Sequence, residues 1–228
     1  MSIIDVVIPA YNEEQSIGKV IQDIPVGLVR EVVVVNNNST DNTVKVAQQA
    51  GATVLTETRQ GYGSACLAGL EHIRAKSVKP TIIVFIDADY SDHPEEMTLL
   101  TSPIIHNQMD MVIGSRALGE REKGSMMPQQ VFGNWLATTL LKWFYKVKYT
   151  DLGPFRAISW NALEALNMQD TNFGWTVEMQ LKAAKQKLSI TEIPVSYRKR
   201  IGVSKIAGTL KGTILAGYKI IYTIFKYR

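Results

Sequence analysis

Two carboxylates stand directly behind the most apolar strand-like segment of the sequence. Residues 82–86 are all apolar, and Asp87-Ala88-Asp89 follows them at once. Burying two unpaired carboxylates beside such a strand would be costly, so a compensating cation is expected. Oxygen ligands at this spacing suit Mg²⁺ or Mn²⁺, which would also bind diphosphate oxygens. The alternative is a polar loop in which Asp92 caps the next helix, but that interpretation gives Asp87 and Asp89 no role.

A second polar segment, residues 9–14, follows the first strand-like segment, residues 3–8. Pro9 would end the strand, Tyr11 could stack on a nucleobase, and Glu13 could accept hydrogen bonds from ribose or base. The alternative is an ordinary strand-to-helix turn with acidic residues at a helix N-terminus, where the helix dipole favours them. This segment alone is equally compatible with both.

The third polar segment, residues 36–43, supplies short side chains that tolerate turns and cap the next helix. Capping accounts for Ser39 and Asp41 without any ligand. It accounts poorly for three successive asparagines, since one would be enough for the turn. Asn36 and Asn38 are therefore candidate binding residues.

A glycine pair and a cation lie farther along, at Arg59, Gly61 and Gly63. Backbone amides at the start of the following helix could approach a phosphate there, because glycine has no side chain to keep the ligand away. A glycine pair alone is weak evidence for such a site.

The scaffold of these segments is predicted from short β-branched segments that alternate with helical patterns, a βαβαβ arrangement. The predicted strands are 3–8, 32–35, 53–55, 82–86 and 111–113, and the predicted helices are 14–24, one opening near 39–41, 63–75 and one after 94. Continuous apolar strands suit a parallel sheet covered on both faces, and ligands bind beyond the carboxyl ends of such strands. We therefore expect the segments after residues 8, 35 and 86 to line one crevice of a Rossmann-like fold.

The second half is less regular. Its pattern predicts a helix over 130–145, a turn at 151–154, a helix over 176–185 and a strand pair near 190–197. A chain of 228 residues with 46% hydrophobic side chains can bury one substantial core. One α/β domain is expected.

Composition argues against several classes of protein. The single cysteine, Cys66, has no partner within the chain, and the three histidines lack metal-ligand spacing. Neither a disulfide framework nor a zinc site is expected. No basic segment followed by a long apolar one precedes the first strand, so a signal peptide is not expected. The expected compartment is the cytoplasm.

The positive charge is concentrated at the C-terminal end. Residues 197–228 contain eight Lys or Arg and no acid, within a formal net charge of +4. Residues 206–228 form an amphipathic pattern without ~20 uninterrupted apolar residues, so they are not expected to span a bilayer. The same stripe would suit a membrane interface, packing on its own domain, or a homodimer contact. Nucleic-acid binding is disfavoured, because the aromatic residues are mixed into the apolar stripe.

Together, these segments resemble family 2 glycosyltransferases with the GT-A fold. Within that family they resemble the polyprenyl-phosphate sugar synthases typified by dolichyl-phosphate mannose and glucose synthases. The resemblance is carried, in the family's order, by Val7-Ile8-Pro9-Ala10-Tyr11-Asn12-Glu13-Glu14, Asn38-Ser39-Thr40-Asp41, Gly61-Tyr62-Gly63, Asp87-Ala88-Asp89, Gly114-Ser115-Arg116, Asp151-Leu152-Gly153-Pro154-Phe155-Arg156 and Arg200-Ile201-Gly202-Val203-Ser204-Lys205.

The resemblance implies an α/β fold with a mostly parallel sheet, helices on both faces, and a C-terminal amphipathic helix. It divides the domain into a nucleotide-sugar half, residues 1–115, an acceptor half, residues 116–205, and a tail, residues 206–228. The implied nucleotide-binding residues are Pro9, Tyr11, Glu13, Asn36, Asn38, Arg59, Gly61, Gly63, Asp87 and Ala88. Asp89, with Asp87, would bind Mg²⁺ or Mn²⁺. The implied acceptor or phosphate residues are Arg116, Arg156, Glu178, Arg200 and Lys205. For Arg116 and Lys205 the alternative is a solvated surface charge.

Three departures bear on the ligands. The family pattern usually has Asp-Asp where Asn36-Asn37 stand, and an amide suits uracil N3–H and O4 better than guanine's two donors, which favours UDP-hexose over GDP-hexose. The glutamine that often follows the carboxylate pair is replaced by Ser91, so a water or Asp92 would complete the metal shell. A second arginine expected after Arg116 has no clear equivalent.

The acceptor determines the chemistry that is required. A lipid phosphate is already an anion and needs no base, whereas a hydroxyl needs a carboxylate within hydrogen-bond reach. Asp151 is the first candidate for that base and Glu178 the second. We expect an inverting hexosyl transfer, with glucose from UDP-glucose or mannose from GDP-mannose, to a polyprenyl phosphate at the cytoplasmic membrane face. The alternatives are transfer to a hydroxyl of a glycan or small acceptor, and a non-catalytic nucleotide-sugar binding module.

Overall fold

The first half of the chain folds as alternating strands and helices. The computed structural model describes residues 2–106, 108–202 and 210–227. The first strands and the helices between them are β1 (Ile4–Ala10), α1 (Ile17–Gln22), β2 (Glu31–Asn36), α2 (Thr43–Gln49), β3 (Thr53–Thr56), α3 (Tyr62–Arg74) and β4 (Ile82–Phe85). Neighbouring strands are parallel, in the order β3-β2-β1-β4. The predicted βαβαβ arrangement is confirmed.

The second half extends the same sheet. After a short 3₁₀ turn at Pro94–Glu96, its elements are α4 (Met97–Ile105), β5 (Met111–Ser115), α5 (Pro128–Tyr145), β6 (Arg156–Ser159), α6 (Trp160–Leu166), α7 (Trp175–Lys185), β7 (Ile190–Pro194) and α8 (Leu210–Lys226). β6 lies antiparallel between β4 and β5, and β7 pairs in parallel with β5. The full order is β3-β2-β1-β4-β6-β5-β7. The predicted α/β class with a mostly parallel sheet is confirmed.

The sequence pattern does not predict β6 and α6, and it is wrong about a strand pair near 190–197. β6 has four residues and begins with the fully buried Arg156, so no apolar alternation marks it. A single strand, β7, occupies the other segment. Beyond it, Tyr197 makes isolated bridges to Asp92 and Arg121.

The sheet is covered on both faces because its central strands present apolar side chains to both sides. Successive side chains of a strand point to opposite faces. Val7, Val33 and Val35 pack on the side of α3, α6 and α7, whereas Val6 and Val34 pack on the side of α1, α2 and α4. Each such side chain contributes about 1.5–3 kcal/mol when fully buried. The strand ends are thereby held in fixed positions.

The C-terminal helix packs on the acceptor half. α8 contacts α5 and α7, and the predicted amphipathic helix is present over its described residues. None of the described helices has both the length and the hydropathy needed to cross a membrane.

Candidate functional site

A cleft of about 410 Å³ opens beyond the carboxyl ends of β1, β2 and β4, where parallel sheets favour ligands. The three polar segments behind those strands contribute Tyr11, Asn37 and Asp87 to its wall. The wall is completed by Pro9, Ala10, Glu13, Gln60, Gly61, Tyr62, Ala65, Ala88, Asp89, Asn172, Phe173 and Arg200. The prediction that the three segments meet at one crevice is confirmed.

Arg200 spans this first cleft between two carboxylates. Its Nη2 donates to Oε1 of Glu13 at 2.6 Å, and its Nη1 lies 3.1 Å from Oδ2 of Asp89. Glu13 is fixed in turn, because the Ser16 hydroxyl donates to its Oε2 at 3.0 Å. The guanidinium of Arg200 thus lies beside Asp89, where the sequence predicts a compensating cation.

Asp89 is oriented by Ser91, which follows it by two residues. Oδ1 of Asp89 accepts from the backbone N–H of Ser91 at 2.9 Å and from its hydroxyl at 2.5 Å. Oδ2 is thereby directed towards Arg200. Ser91 therefore serves as a support for the carboxylate.

Asp87 is held by Tyr62, whose hydroxyl donates to Oδ1 at 3.0 Å. Burial, followed by the negative charge of Asp89, raises the pKa of Asp87 from 3.8 to about 7. A carboxyl in this state gains from a nearby cation, since the cation stabilises its charged form. Tyr62 lies within the Gly61-Tyr62-Gly63 motif, so that motif supplies a contact that the sequence interpretation did not assign.

Asp92 does not cap the helix that follows it. It is 1% exposed, and within the described part of the chain no hydrogen-bond partner reaches either carboxylate oxygen. Burial and the charge of Asp87 raise the pKa of Asp92 well above its ordinary value. Asp92 therefore lies buried behind the site, and the alternative in which it caps the next helix is wrong.

The carboxylate pair suits a divalent cation that takes two protein ligands. Among the described residues, no group of three His, Cys, Asp or Glu side chains could hold a metal ion. Mg²⁺ and Mn²⁺ accept such a set when diphosphate oxygens and water supply the other ligands. Asp87 and Asp89 fit a cation of this kind, and Asp92 does not join them.

The asparagine segment builds the loop beside the cleft. The Asn37 amide donates to the carbonyls of Glu57 and Arg59 at 2.9 and 2.8 Å, and its Oδ1 accepts from the N–H of Gly61 at 2.8 Å. Asn36 accepts from the N–H of Ser39 at 2.9 Å. Asn36, the predicted nucleotide-binding residue, uses its Oδ1 for Ser39 and is not part of the described wall of the first cleft, so the preference for uracil gains no support from this segment.

Asn38 and Arg59 also shape this loop. Asn38 has a φ of 67° and donates to the carbonyl of Thr58 at 2.7 Å. Arg59 contributes its carbonyl to Asn37, and its side chain is not part of the described wall of the first cleft. Both predicted nucleotide-binding residues thus support the turn.

Gly61 and Gly63 are required by close packing. A Cβ on Gly63 would lie 1.9 Å from the carbonyl oxygen of Asp170, and one on Gly61 would lie 2.1 Å from that of Thr171. Gly61 also has a φ of 145°, which disfavours other residues. The glycines bring the 170–172 segment to the cleft, so Asn172 and Phe173 can line it.

A second cleft, of about 320 Å³, joins the first. The two share Tyr62, Asp87, Asp89, Phe173 and Arg200. The remaining wall is formed by Arg116, Met126, Gln129, Gln130, Gly133, Asn134, Leu152, Pro154, Trp175, Thr176, Tyr197, Gly217 and Ile220. Two ligands could therefore meet at the carboxylate pair, one from each cleft.

Arg116 brings positive charge to the second cleft and is held there by Asp151. Its Nε and backbone N–H each donate to Oδ2 at 2.8 Å, and its Nη2 donates to Oδ1 at 2.7 Å. Asp151 is 1% exposed and does not line either described cleft. Both of its oxygens are used by Arg116. This geometry suits a role for Asp151 in positioning Arg116 better than it suits the predicted role as a base.

Glu178 and Arg156 are likewise occupied inside the fold. Glu178 accepts from the N–H of Asp170 at 2.7 Å and from the Tyr227 hydroxyl at 2.6 Å. Arg156 donates to the carbonyls of Gly153 and Thr176, at 3.0 and 3.1 Å. Both are fully buried. They hold loops and helices together and are not placed to meet an acceptor. Lys205 lies outside the described residues.

A family model described as Glycosyl transferase family 2 matches residues 5–166. The chain belongs to this family. The matched range contains the first cleft's carboxylate pair and the Arg116–Asp151 pair. The protein is thus a glycosyltransferase that uses a nucleotide sugar.

Other sugar-transferring proteins resemble it over almost its whole length. An uncharacterised glycosyltransferase of Mycobacterium tuberculosis is 34% identical over 93% of this chain and 94% of its own. The UDP-N-acetylglucosamine–dolichyl-phosphate N-acetylglucosaminyltransferase of Methanococcus voltae is 28% identical over 97% and 94%. Glucosyl-3-phosphoglycerate synthase of Mycobacterium tuberculosis, solved with Mn²⁺, UDP and phosphoglyceric acid, superposes with a TM-score of 0.78 and 23% identity, covering 99% of this chain and 78% of its own. This likeness supports the GT-A fold.

Several wall residues of this glycosyltransferase carry no signal in the sequence. Asn172 and Phe173 reach the first cleft from a loop that follows the unpredicted α6. Tyr197 lies under Arg116, with the guanidinium 5.0 Å from its ring centroid. Tyr62, Leu152 and Pro154, in contrast, stand in motifs quoted above that could have identified them.

Proposed function

We propose that this glycosyltransferase moves a hexose from a UDP-hexose to a polyprenyl phosphate, with inversion at the anomeric carbon and with Mg²⁺ or Mn²⁺ bound. The proposal includes peripheral contact with the cytoplasmic membrane face. The two clefts give each substrate its own approach to the carboxylate pair.

The observation that carries the proposal is the set of charges in the second cleft. Apart from Asp87 and Asp89, the described residues of its wall include no carboxylate, whereas they include Arg116. A hydroxyl acceptor needs a base within reach, and an acceptor phosphate does not. Asp151 and Glu178, the predicted bases, are buried in other contacts. An anionic acceptor therefore fits this cleft.

The rest of the second cleft suits the lipid part of such an acceptor. Its described wall is rich in apolar and aromatic side chains, namely Met126, Leu152, Pro154, Phe173, Trp175 and Ile220. An isoprenoid unit next to the phosphate would bury apolar surface against these side chains. A small polar acceptor would leave them in contact with water.

The site residues divide between the two halves of the domain. In the half formed by residues 1–115, Tyr11 and Glu13 would contact the nucleoside. Asp87 and Asp89 would hold the metal, which neutralises charge on the departing diphosphate when it is bound. In the half formed by residues 116–205, Arg116 would bind the acceptor phosphate.

Arg200 lies between these halves and would stabilise the departing diphosphate. In the structure it is paired with Glu13 and Asp89. Diphosphate oxygens would compete for its N–H donors, and guanidinium–phosphate pairs are strong and geometrically matched. The acceptor phosphate would then attack the anomeric carbon from the second cleft in a single displacement.

The nucleotide and sugar are proposed from the relatives. The Methanococcus voltae relative uses a UDP sugar and a dolichyl phosphate, by its name, and the synthase of known structure binds UDP. These names favour UDP over GDP. The preference for UDP therefore rests on the relatives and no longer on Asn36-Asn37. Among hexoses, glucose is the first to test.

A second candidate is transfer to a small acceptor that bears both a phosphate and a hydroxyl. The synthase that shares the fold is named for such a product, glucosyl-3-phosphoglycerate. Arg116 would bind the phosphate of either acceptor, so the acceptors must be separated by experiment.

The test is a transfer assay with radiolabelled UDP-glucose, UDP-N-acetylglucosamine and GDP-mannose, each with undecaprenyl phosphate or phosphoglycerate and Mn²⁺. We expect label in the organic phase with a UDP sugar and undecaprenyl phosphate. Asp89→Asn should abolish that transfer, whereas Glu71→Gln, which removes an exposed carboxylate, should leave it intact. Label found only with phosphoglycerate or another hydroxyl acceptor would refute the proposal.

A further inference from the structure

The outer face of α5 carries large side chains that nothing in the described structure covers. Phe132, Trp135 and Trp143 are 60%, 57% and 71% exposed. They recur at intervals of three and eight residues, which places them on one side of a helix. The rings of Phe132 and Trp135 lie 5.7 Å apart. A soluble protein gains nothing from leaving such a cluster in water.

α8 carries a second exposed stripe. Leu215, Tyr218, Tyr222 and Phe225 are 47%, 67%, 47% and 48% exposed. Their spacing of three, four and three residues again defines one helical face. The rings of Tyr218 and Tyr222 stack at 6.2 Å.

The two helices that carry these stripes pack against each other near their C-terminal ends. The rings of Phe144 of α5 and Phe225 of α8 lie 5.3 Å apart, and the Tyr145 hydroxyl donates to the carbonyl of Ile224. We refer to Phe132, Trp135, Trp143, Leu215, Tyr218, Tyr222 and Phe225 as the aromatic surface.

The charged side chains of α5 and α8 themselves all have one sign, although Lys219 of α8 pairs with Asp170 at 2.9 Å. Neither α5 nor α8 contains Asp or Glu, and Lys142, Lys146 and Lys226 are exposed at or next to their ends. Tryptophan and tyrosine are favoured at the level of lipid headgroups, and lysines there are attracted to anionic lipids. The combination of rings and lysines matches a membrane interface.

The same two helices form part of the second cleft. α5 contributes Gln130 and Gly133 to its wall, and α8 contributes Gly217 and Ile220. A bilayer in contact with the aromatic surface would therefore adjoin the cleft in which the acceptor phosphate is proposed to bind.

We propose that the aromatic surface docks this enzyme on a bilayer containing anionic lipid, with the rings of α5 and α8 at headgroup level. A second copy is the competing occupant. A two-fold symmetric dimer would place the same surface, with the same lysines, on both sides, and no acid of either helix would compensate their charge. This proposal rests on the proposed function, since docking would serve an enzyme whose acceptor is a lipid phosphate. Vesicle binding can be measured without catalysis, so membrane docking and the proposed function can fail separately.

The test is co-sedimentation of the full chain with vesicles of phosphatidylcholine and phosphatidylglycerol. The variant is Trp135→Ser with Trp143→Ser. The matched control is Val78→Ser with Leu99→Ser, which changes two side chains that are 57% and 53% exposed elsewhere on the molecule. We expect the tryptophan variant to bind vesicles about tenfold more weakly, since each ring loses burial, and the control to bind as the wild type does. Unchanged thermal unfolding would show that both variants fold.

Intrinsic fluorescence gives a second measurement. The chain has four tryptophans, of which Trp135 and Trp143 are exposed, whereas Trp160 and Trp175 are 9% and 1% exposed. Brominated lipids should quench the wild type and the control, and quenching should disappear in the tryptophan variant.

Two results would overturn the proposal. One is equal vesicle binding and quenching in the tryptophan variant and the wild type. The other is a wild-type dimer in light scattering that binds no vesicles and becomes a monomer in the variant, because a second copy would then cover the surface. A tryptophan variant that no longer binds vesicles but still glycosylates a short, water-soluble prenyl phosphate would support docking and the proposed function separately.

Discussion

Replacing Asp151 by asparagine separates a positioning role for this side chain from a catalytic one. The carboxylate receives three hydrogen bonds from Arg116, with both oxygens engaged at 2.7–2.8 Å. An asparagine of the same shape can keep the bonds to one oxygen. Its NH₂ group would then face Nη2 of Arg116, donor against donor, and the guanidinium would lose its counter-charge.

The size of the effect follows from the burial of the pair. The side chains of Arg116 and Asp151 are 11% and 1% exposed. Breaking one partner of a buried ion pair costs about 3–5 kcal/mol, because the other charge is left uncompensated. Since asparagine keeps some of the hydrogen bonds, we expect a loss of about 3 kcal/mol. Arg116→Gln alone should cost a similar amount, and the double variant should cost clearly less than the sum of the two.

The assay combines denaturant unfolding with steady-state kinetics. If Asp151 positions Arg116, Asp151→Asn should raise the KM for the acceptor phosphate and leave the shape of the pH–rate profile unchanged. The double variant should recover stability without recovering acceptor binding, since it lacks the cation. This split between stability and KM is the signature of a positioning residue.

A catalytic base would give a different result. Loss of a general base lowers kcat by about 10²–10⁴-fold. If Asp151→Asn did so with stability and acceptor KM unchanged, and if the acidic limb of the pH profile disappeared, Asp151 would be the base and the acceptor would be a hydroxyl. That outcome would contradict a positioning role for Asp151.

Three further predictions concern the first cleft. Asp89→Asn should abolish the strengthening of UDP binding by Mn²⁺ in calorimetry, and an unchanged Mn²⁺ effect would exclude this metal site. The pKa of Asp87 is raised from 3.8 to about 7, so the metal-free folded state binds more protons than the unfolded state between these values, and its stability should fall as pH rises through this range. Asp87→Asn should flatten that slope in urea unfolding measured from pH 4 to 7, and a slope identical to that of the wild type would contradict the shift. Gly63→Ala should lower stability by about 1–3 kcal/mol or more, because its Cβ would meet the Asp170 carbonyl at 1.9 Å. Gly133→Ala, which meets nothing within 4 Å, should not lower it, and equal effects of the two would contradict the packing argument.

The first cleft can be predicted from the sequence because it depends only on where the strands of a parallel sheet end. Apolar strands of a parallel sheet end at one edge, so the polar residues behind them, such as Tyr11 and Asp87, must lie close together. No knowledge of long-range packing is needed for that step. The fold class and the meeting of the three polar segments are confirmed for this reason.

The roles of individual polar residues depend on partners that are distant in sequence. Asp151 pairs with Arg116 across 35 positions, and Glu178 meets Tyr227 across 49. A motif shows the residue type but does not show whether its hydrogen bonds are already used inside the fold. The motifs therefore predict Asp151 as a base and Asn36 as a nucleotide-binding residue, whereas in the structure the Asp151 carboxylate accepts from Arg116 and the Asn36 Oδ1 accepts from the N–H of Ser39.

The exposure of the aromatic residues could not be predicted from the sequence either. Phe132, Trp135 and Trp143 belong to a helix whose composition is typical of a buried element, and only packing reveals which of its faces is covered. Likewise, β6 could not be recognised in a segment that begins with arginine, because one of the carbonyls that satisfy Arg156 belongs to Thr176, in the distant helix α7.

In the proposed reaction, an acceptor phosphate attacks the sugar without help from a protein base. Its most direct test is nuclear magnetic resonance of the product formed from UDP-[¹³C]glucose, undecaprenyl phosphate and Mn²⁺. We expect an anomeric carbon coupled to phosphorus in a lipid-linked sugar phosphate, with the β configuration that inversion of the α-linked donor produces. A product whose sugar is joined to a hydroxyl oxygen, or one that retains the α configuration, would contradict it.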